Sequence, residues 1–234
     1  MKLGIIGAMS IEVEALKNKM IDCVSTELAG MTFHEGLLED APAVLVVCGV
    51  GKVNAAMCAQ ILCDRYQVSH IINTGVAGSL CADLDIGDFV ISTEAVYHDF
   101  DCHVLNPLYV VGQVPGLAVR TFPADLELIE CAYAAAEKVY AGHATKGIVA
   151  SGDQFVCSKE RKQQIVADTG ALCTEMEGAA IAHTAWRNGI PYVVLRAISD
   201  KADDSAEMDY PTFEAIAAKR SAAVTCEMAR RMQA

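Results

Sequence analysis

Arg196, Ser199 and Asp200 fall within one short stretch at the end of an apolar, β-branched run, Tyr192-Val-Val-Leu195, that follows a Gly189-Ile-Pro191 break. Glu175-Met176-Glu177 lies just upstream. The run reads as a buried strand. Open α/β sheets seat ligands beyond the carboxyl ends of their strands. A Ser and an Asp at such an end are well placed to act on a ligand. The competing reading is that Asp200 only caps a turn, with Lys201 and Asp203 as solvated neighbours, since Asp is a common turn residue. Near the start of the chain, Glu12 and Glu14 follow Gly7-Ala-Met9. In the first turn and a half of a helix, both suit the helix dipole as surface carboxylates.

The elements around these residues alternate. Lys2 to Ile6 reads as a strand, Gly7-Ala8-Met9 as a turn, and Ser10 to Met20 as a helix. Ser25 to Leu38 and Pro42 to Cys48 read as two strands, the first bent. Gly49-Val50-Gly51-Lys52 is a second glycine turn, followed by a helix from Val53 to Tyr66. His70 to Asn73 is a buried strand ending in Asn73-Thr-Gly75-Val76-Ala-Gly78-Ser79. Three strand ends built from small residues imply a backbone that approaches a ligand closely. Phe89 to Tyr97 and Lys146 to Ala150 are further strands, and the latter leads into Ser151-Gly152-Asp153-Gln154-Phe155-Val156. Pro123 to Tyr140, Ser158 to Ala167, Glu177 to Asn188 and Pro211 to Met232 have helical spacing. Phe100 to Thr121 reads as a long loop, and such loops are usually functional or disordered. The alternation predicts an α/β fold: a three-layer α/β/α sandwich around a central mixed, largely parallel sheet. No linker, repeat or composition break divides the chain, so one domain over 1–234 is expected.

The 234 residues are 53% hydrophobic and carry a formal net charge of −12. That balance disfavours nucleic acid and anionic membranes, which need a basic footprint. No apolar run approaches a membrane span, and the N-terminal run is too short for a signal peptide. None of the ten cysteines forms a C-x-x-C pair. They read as buried small hydrophobes in a reducing, cytoplasmic setting. His98-Asp-Phe-Asp101-Cys102-His103 groups metal-ligating residue types but lacks the tight spacing of a structural metal site. Gly4 and Gly7 do not make a dinucleotide fingerprint. No metal and no organic cofactor is expected.

Four motifs stand together in order: Gly7-Ala-Met9-x-x-Glu12, Asn73-Thr-Gly75-x-Ala-Gly78, Ser151-Gly152-Asp153-x-Phe155 with Glu175-Met176-Glu177, and Arg196-Ala-Ile-Ser199-Asp200. At these intervals they resemble the 5′-methylthioadenosine/S-adenosylhomocysteine nucleosidases of the wider nucleoside phosphorylase superfamily. The resemblance covers essentially the whole chain. It implies hydrolysis of the N-glycosidic bond of methylthioadenosine, adenosylhomocysteine and 5′-deoxyadenosine, releasing adenine for methionine salvage. It implies Asp200 as the acid that protonates N7, oriented by Ser199, and Glu12 as the base that activates water, with Arg196 helping to hold that water. Glu177 and the Met176 backbone would hold the ribose hydroxyls, beside Glu175. Phe155 would stack on adenine, and the Val156 backbone would read its edge. Met9 and Met176 would give soft contacts near the sugar and thioether. Val76, Ala77 and Gly78 would line the pocket. It also implies a homodimer in which Leu105, Pro107, Leu108, Tyr109 and Pro115 wall the 5′ pocket from the partner subunit.

Three departures from the family pattern matter. Ser10 and Ile11 replace residues that are often acidic, Val76 stands where many members have Ser, and the Phe100 to Val114 loop diverges. Two enzyme rivals share the scaffold. A futalosine-type nucleoside hydrolase would use the same residues with another 5′ group. A purine nucleoside phosphorylase needs a cationic phosphate pocket, and the first glycine turn here meets Glu12 instead. A non-catalytic nucleoside binder would need Phe155 and Glu177 but not both Glu12 and Asp200.

Overall fold

The structure, a computed structural model, describes residues 1–233 apart from the side chain of Met208. Ala234, the last residue of the expected domain, lies outside the described residues. The elements run β1 (Leu3–Gly7), α1 (Ser10–Lys17), β2 (Ile21–Leu28), β3 (Met31–Leu38), β4 (Ala41–Val47), α2 (Lys52–Asp64), β5 (His70–Ser79), β6 (Phe89–Tyr97), β7 (Phe122–Pro123), α3 (Leu126–Val139), β8 (Ala144–Ser151), α4 (Lys159–Thr169), β9 (Cys173–Glu175), α5 (Gly178–Asn188), β10 (Tyr192–Asp200) and α6 (Ala206–Arg231).

All ten strands join one mixed sheet in the order β10-β6-β8-β9-β5-β1-β4-β3-β2, with β7 on β6. β10 also pairs with β5, so β5, β10, β6, β8 and β9 close into a ring. Helix α2 packs with α5, while α6 packs with α1 and α3, giving helical layers on the two sides of the sheet. The expected α/β/α sandwich is present. Parallel ladders hold its centre, joining β1 to β4 and β5, and β10 to β5. The β2-β3-β4 edge is antiparallel.

The central strands carry long apolar runs because both of their faces are covered. Leu3, Ile5 and Ile6 of β1, Val44 to Val46 of β4, and Val193 to Leu195 of β10 are all buried. Three helices carry their own boundary signals. Asp125 caps α3 by accepting from Leu128 N–H at 3.0 Å, and Ser158 caps α4 by accepting from Arg161 N–H at 3.2 Å. Gly170 and Gly189 end α4 and α5 in the left-handed region, where glycine carries no steric penalty.

Several expectations are corrected. The single bent strand expected over Ser25 to Leu38 is a hairpin of β2 and β3, turned by Ala29 (φ 50) and Gly30 (φ 76). The Ala29-Gly30 turn lacks the Asn-Gly signature that marks such hairpins in sequence. The Asn73 to Ser79 segment is not a turn: β5 continues through it. Likewise β10 does not stop at Leu195 but carries Arg196, Ser199 and Asp200 within it, all buried. Helix α3 starts at Leu126, and Pro123 belongs to β7. Helix α6 begins upstream of Pro211, which lies inside it. The short strand β9 was unforeseen. Only part of the cysteine reading holds: Cys48, Cys58, Cys173 and Cys226 are buried, five others are partly exposed, and Cys23 is exposed on the edge strand β2.

Candidate active site

One cavity of about 600 Å³, partly open to solvent, collects the ends of β1, β5, β8, β9 and β10. Its lining includes Met9, Glu12, Val76, Ala77, Gly78, Phe155, Val156, Glu175, Met176, Glu177, Arg196, Ser199 and Asp200. Every catalytic and substrate-binding residue expected from the sequence is therefore brought to one place.

Glu12 sits in the first turn of α1 and bends back over the turn that precedes it. Its Oε2 accepts from the N–H groups of Ala8 at 2.7 Å and Met9 at 3.0 Å. Its Oε1 accepts from Val76 N–H at 3.1 Å. Glu12 does lie in the first turn of the helix, but it is buried, so the surface-carboxylate reading fails for it. An ionised carboxylate offers about four acceptor positions, so one remains for a ligand or water. Burial raises its pKa above the usual carboxylate value, against the lowering pull of Arg196 and these three N–H groups.

Arg196 is fully buried on β10 and bound on several sides. Its Nη2 donates to Asn73 Oδ1 at 2.5 Å and to Glu175 Oε2, and its Nη1 donates to Val76 O at 3.3 Å. Glu177 Oε2 stands 3.7 Å away. Burial opposes its charge, but Glu175, Glu177 and Glu12 outweigh that and hold it protonated. Gly75 is the point where Glu12 and Arg196 meet: a Cβ there would collide with Glu12 Oε1 and Arg196 Nη1. The glycine in β5 is required by two side chains arriving from other elements.

Glu175 is structural in its bonding. It accepts from Ser151 Oγ, from Glu177 N–H at 3.1 Å, and from Gly178 N–H at 3.0 and 2.8 Å as well as from Arg196. Glu177 has fewer partners: Gly51 N–H at 2.8 Å and the long contact to Arg196. Burial and the adjacent Glu175 push it up to about 7, moderated by Arg196 and the Gly51 N–H.

At the other wall, Asp200 Oδ2 accepts from Ser199 Oγ at 2.8 Å and Oδ1 from Ala202 N–H at 2.8 Å. Burial raises its pKa above the usual aspartate value, although both hydrogen bonds favour the charged form. The turn alternative is partly realised through Ala202, yet the carboxyl faces the cavity.

Phe155 is half exposed at the mouth, edge-on to Tyr210 with centroids 5.5 Å apart. Tyr210, Gln154, Thr174, Val50 and Ala8 also line the cavity and were not foreseen. Tyr210 lies in α6, where no local motif marks it. The loop carrying Phe155 is tied down from below. Asp99 Oδ2 accepts from Asp153 N–H at 2.8 Å, Lys52 Nζ pairs with Asp99 at 2.7 Å, and Asp153 Oδ1 accepts from Lys52 N–H at 2.8 Å. Within the His98 to His103 segment, Asp101 pairs with His103 at 2.5 Å, and Arg161 donates to His98 Nδ1 at 3.0 Å. The residues expected to wall a 5′ pocket are not among those lining this cavity. Leu105, Pro107, Leu108 and Pro115 are exposed and Tyr109 is partly so, all on the long loop between β6 and β7.

Chemically, the cavity pairs a buried aspartyl group on one side with two buried glutamates around an arginine on the other. Such an arrangement has the groups that can protonate a leaving group on one side and face water or positive charge with carboxylates on the other.

The family model described as "Phosphorylase superfamily" matches residues 2–230. The 5′-methylthioadenosine/S-adenosylhomocysteine nucleosidase of Geobacillus kaustophilus is 41% identical over 229 residues, 97% of this chain and 96% of that protein. Its counterpart from Oceanobacillus iheyensis is 39% identical over 236 residues, 99% of this chain and 100% of that protein. Among solved structures, the Neisseria meningitidis 5′-methylthioadenosine/S-adenosylhomocysteine nucleosidase in complex with methylthio-immucillin-A superposes with a TM-score of 0.94 at 36% identity, covering 98% of this chain and 99% of that one. The futalosine hydrolase of Helicobacter pylori superposes with a TM-score of 0.93 at 32% identity, covering 99% and 98%.

Proposed function

The chain belongs to the phosphorylase superfamily and, within it, to the 5′-methylthioadenosine/S-adenosylhomocysteine nucleosidases, and from that premise we propose how it works. It is an N-glycosyl hydrolase that splits methylthioadenosine and adenosylhomocysteine with water, releasing adenine and the thioribose product. 5′-Deoxyadenosine fits the same reading.

In this proposal Asp200 gives its proton to purine N7. The C1′–N9 bond breaks and its electron pair is taken up by the neutral base. The ribose gains oxocarbenium character, as in other glycoside hydrolyses, and the carboxylates of Glu12 and Glu177 oppose that positive charge. Glu12 takes a proton from water as the new C1′–O bond forms. The raised pKa of Asp200 supports the acid role, and the three N–H donors that fix Glu12 support an oriented base. Glu177, with one N–H partner, has acceptor capacity left for ribose hydroxyls. Phe155 stacks on the base, and Met9 and Met176 line the sugar side.

The observation that carries hydrolysis over phosphorolysis is the charge of the cavity. Among the described lining residues Arg196 is the sole cation, and it is already bound to Glu175 and Asn73 beside Glu12 and Glu177. A phosphate there would face carboxylates. The test is adenine release from methylthioadenosine and adenosylhomocysteine, with and without phosphate. Release independent of phosphate is expected, and a phosphate requirement would reverse the assignment. The likeness to futalosine hydrolase supports a second reading that differs only at the 5′ group, and including that class of substrate in the assay decides it.

We also place the enzyme in methionine salvage, in the reducing cytoplasm that suits ten free cysteines, and as a homodimer. The dimer is supported by the exposed apolar Val104, Leu105 and Leu108, which suit burial against a second copy.

A further inference from the structure

Thr174 has a buried hydroxyl, and its Oγ1 finds no hydrogen-bond partner among the described residues. Buried hydroxyls are nearly always paired, and an unpaired one is a cost to the empty protein. This one belongs to a residue lining the active cavity. Its position on β9 fixes what it faces. Thr174 stands directly opposite Gly78 in the antiparallel β5–β9 ladder. Directly opposed residues point to the same side of a sheet, with Cβ atoms about 4.5–5.5 Å apart. A Cβ on Gly78 would lie 2.8 Å from Asp200 Oδ1. Thr174 therefore shares a wall with the Asp200 carboxyl, and the missing Cβ of Gly78 lets Asp200 and Ala202 close against the strand beside it.

We propose that the Thr174 hydroxyl is a specificity-determining contact to the substituent at C6 of the purine. The assignment rests on the reading above that Asp200 addresses N7, because C6 carries the substituent that flanks N7 on the fused ring. A hydroxyl both donates and accepts. It takes a hydrogen bond from a 6-amino group and, turned about its Cβ–Oγ bond, gives one to a 6-oxo group. Backbone contacts at Val156 have no such freedom. The hydroxyl thus adds affinity for either substituent and none for an unsubstituted ring.

The experiment is calorimetric titration of the full-length protein with adenine, hypoxanthine and unsubstituted purine. Thr174→Val should weaken adenine and hypoxanthine by about three- to tenfold, the size of one ordinary hydrogen bond, and leave purine unchanged. Thr174→Ser should restore the wild-type pattern. Unchanged adenine binding in the valine variant, or an equal loss for unsubstituted purine, overturns the proposal. Should the valine variant fail to fold, Thr174→Ser against Thr174→Ala gives the same contrast. Free-base binding does not depend on turnover. A wild type that binds adenine but releases none from nucleosides would defeat the proposed reaction and leave this titration decisive for Thr174.

Discussion

The Glu177 carboxylate accepts a hydrogen bond from the Gly51 N–H at 2.8 Å, tying the start of α5 to the turn that opens α2. That bond and the contact to Arg196 are all that offsets burial and the neighbouring Glu175, and Glu177 is pushed up from 4.5 to about 7. The folded protein then holds a proton that the unfolded chain has lost. This contribution to stability is fully present below about pH 4.5 and is lost as the pH rises through about 7. Glu177→Gln should flatten that part of the pH–stability curve, read by thermal melts at several pH values.

Substrate binding should show the same ionisation from the other side. Ribose hydroxyls donate to an ionised carboxylate, so binding below about pH 7 should release a proton from Glu177. Calorimetry in buffers of different ionisation heat measures that release. Its persistence in Glu177→Gln would assign the proton to another group.

Asp200→Asn keeps the shape of the group but has no proton to give N7. Turnover should fall by about 10²–10⁴-fold, the usual worth of a general acid, while adenine still binds. Near wild-type turnover would remove Asp200 from the reaction. The Ser199 hydroxyl favours the charged form of Asp200, so Ser199→Ala should move the alkaline limb of the rate profile to higher pH. A limb that stays put would separate that limb from Asp200.

Glu12→Gln should bind substrate and fail to hydrolyse it. A variant inactive because it no longer binds would make Glu12 a binding residue. Gly75→Ala probes the same pair by geometry, since its Cβ would press Glu12 and Arg196 apart. It should lower kcat much more than it raises KM for adenine-containing ligands.

How far the sequence carried the site depends on what each residue answers to. Glu12, Glu177 and Asp200 sit in short motifs whose order survives in the chain, and all three converge on one cavity. The reach of β5 and β10 was underestimated because glycine and charged residues read as strand breakers. Gly75 is in the strand to make room for Arg196, and Arg196 is in a strand because carboxylates from α1, β9 and the start of α5 surround it. Those causes are tertiary and leave no local signal. Tyr210 was invisible for the same reason: it reaches Phe155 from α6, more than fifty residues on. Thr174 was invisible because β9 is only three residues long.

The last expectation concerns the 5′ side. In the proposed reaction Glu12, Glu177 and Asp200 act on water, sugar and base, so discrimination among 5′ groups falls to other residues. Within one chain, Met9, Val50 and Tyr210 line the cavity, while Leu105 and Leu108 are 79% and 86% exposed and do not. Side chains that apolar and that exposed can reach a 5′ group only if a second copy brings them. An apolar wall distinguishes substituents by only about 1–3 kcal/mol per methylene. Methylthioadenosine and adenosylhomocysteine should therefore both be cleaved, with efficiencies about ten- to a hundredfold apart. Leu105→Ala with Leu108→Ala should raise KM for both thioether substrates and leave the preference for adenine intact. Light scattering should give a dimer for the wild type. A fully active monomer at nanomolar concentration, or a double variant indifferent to every 5′ group, would take this loop out of the 5′ wall.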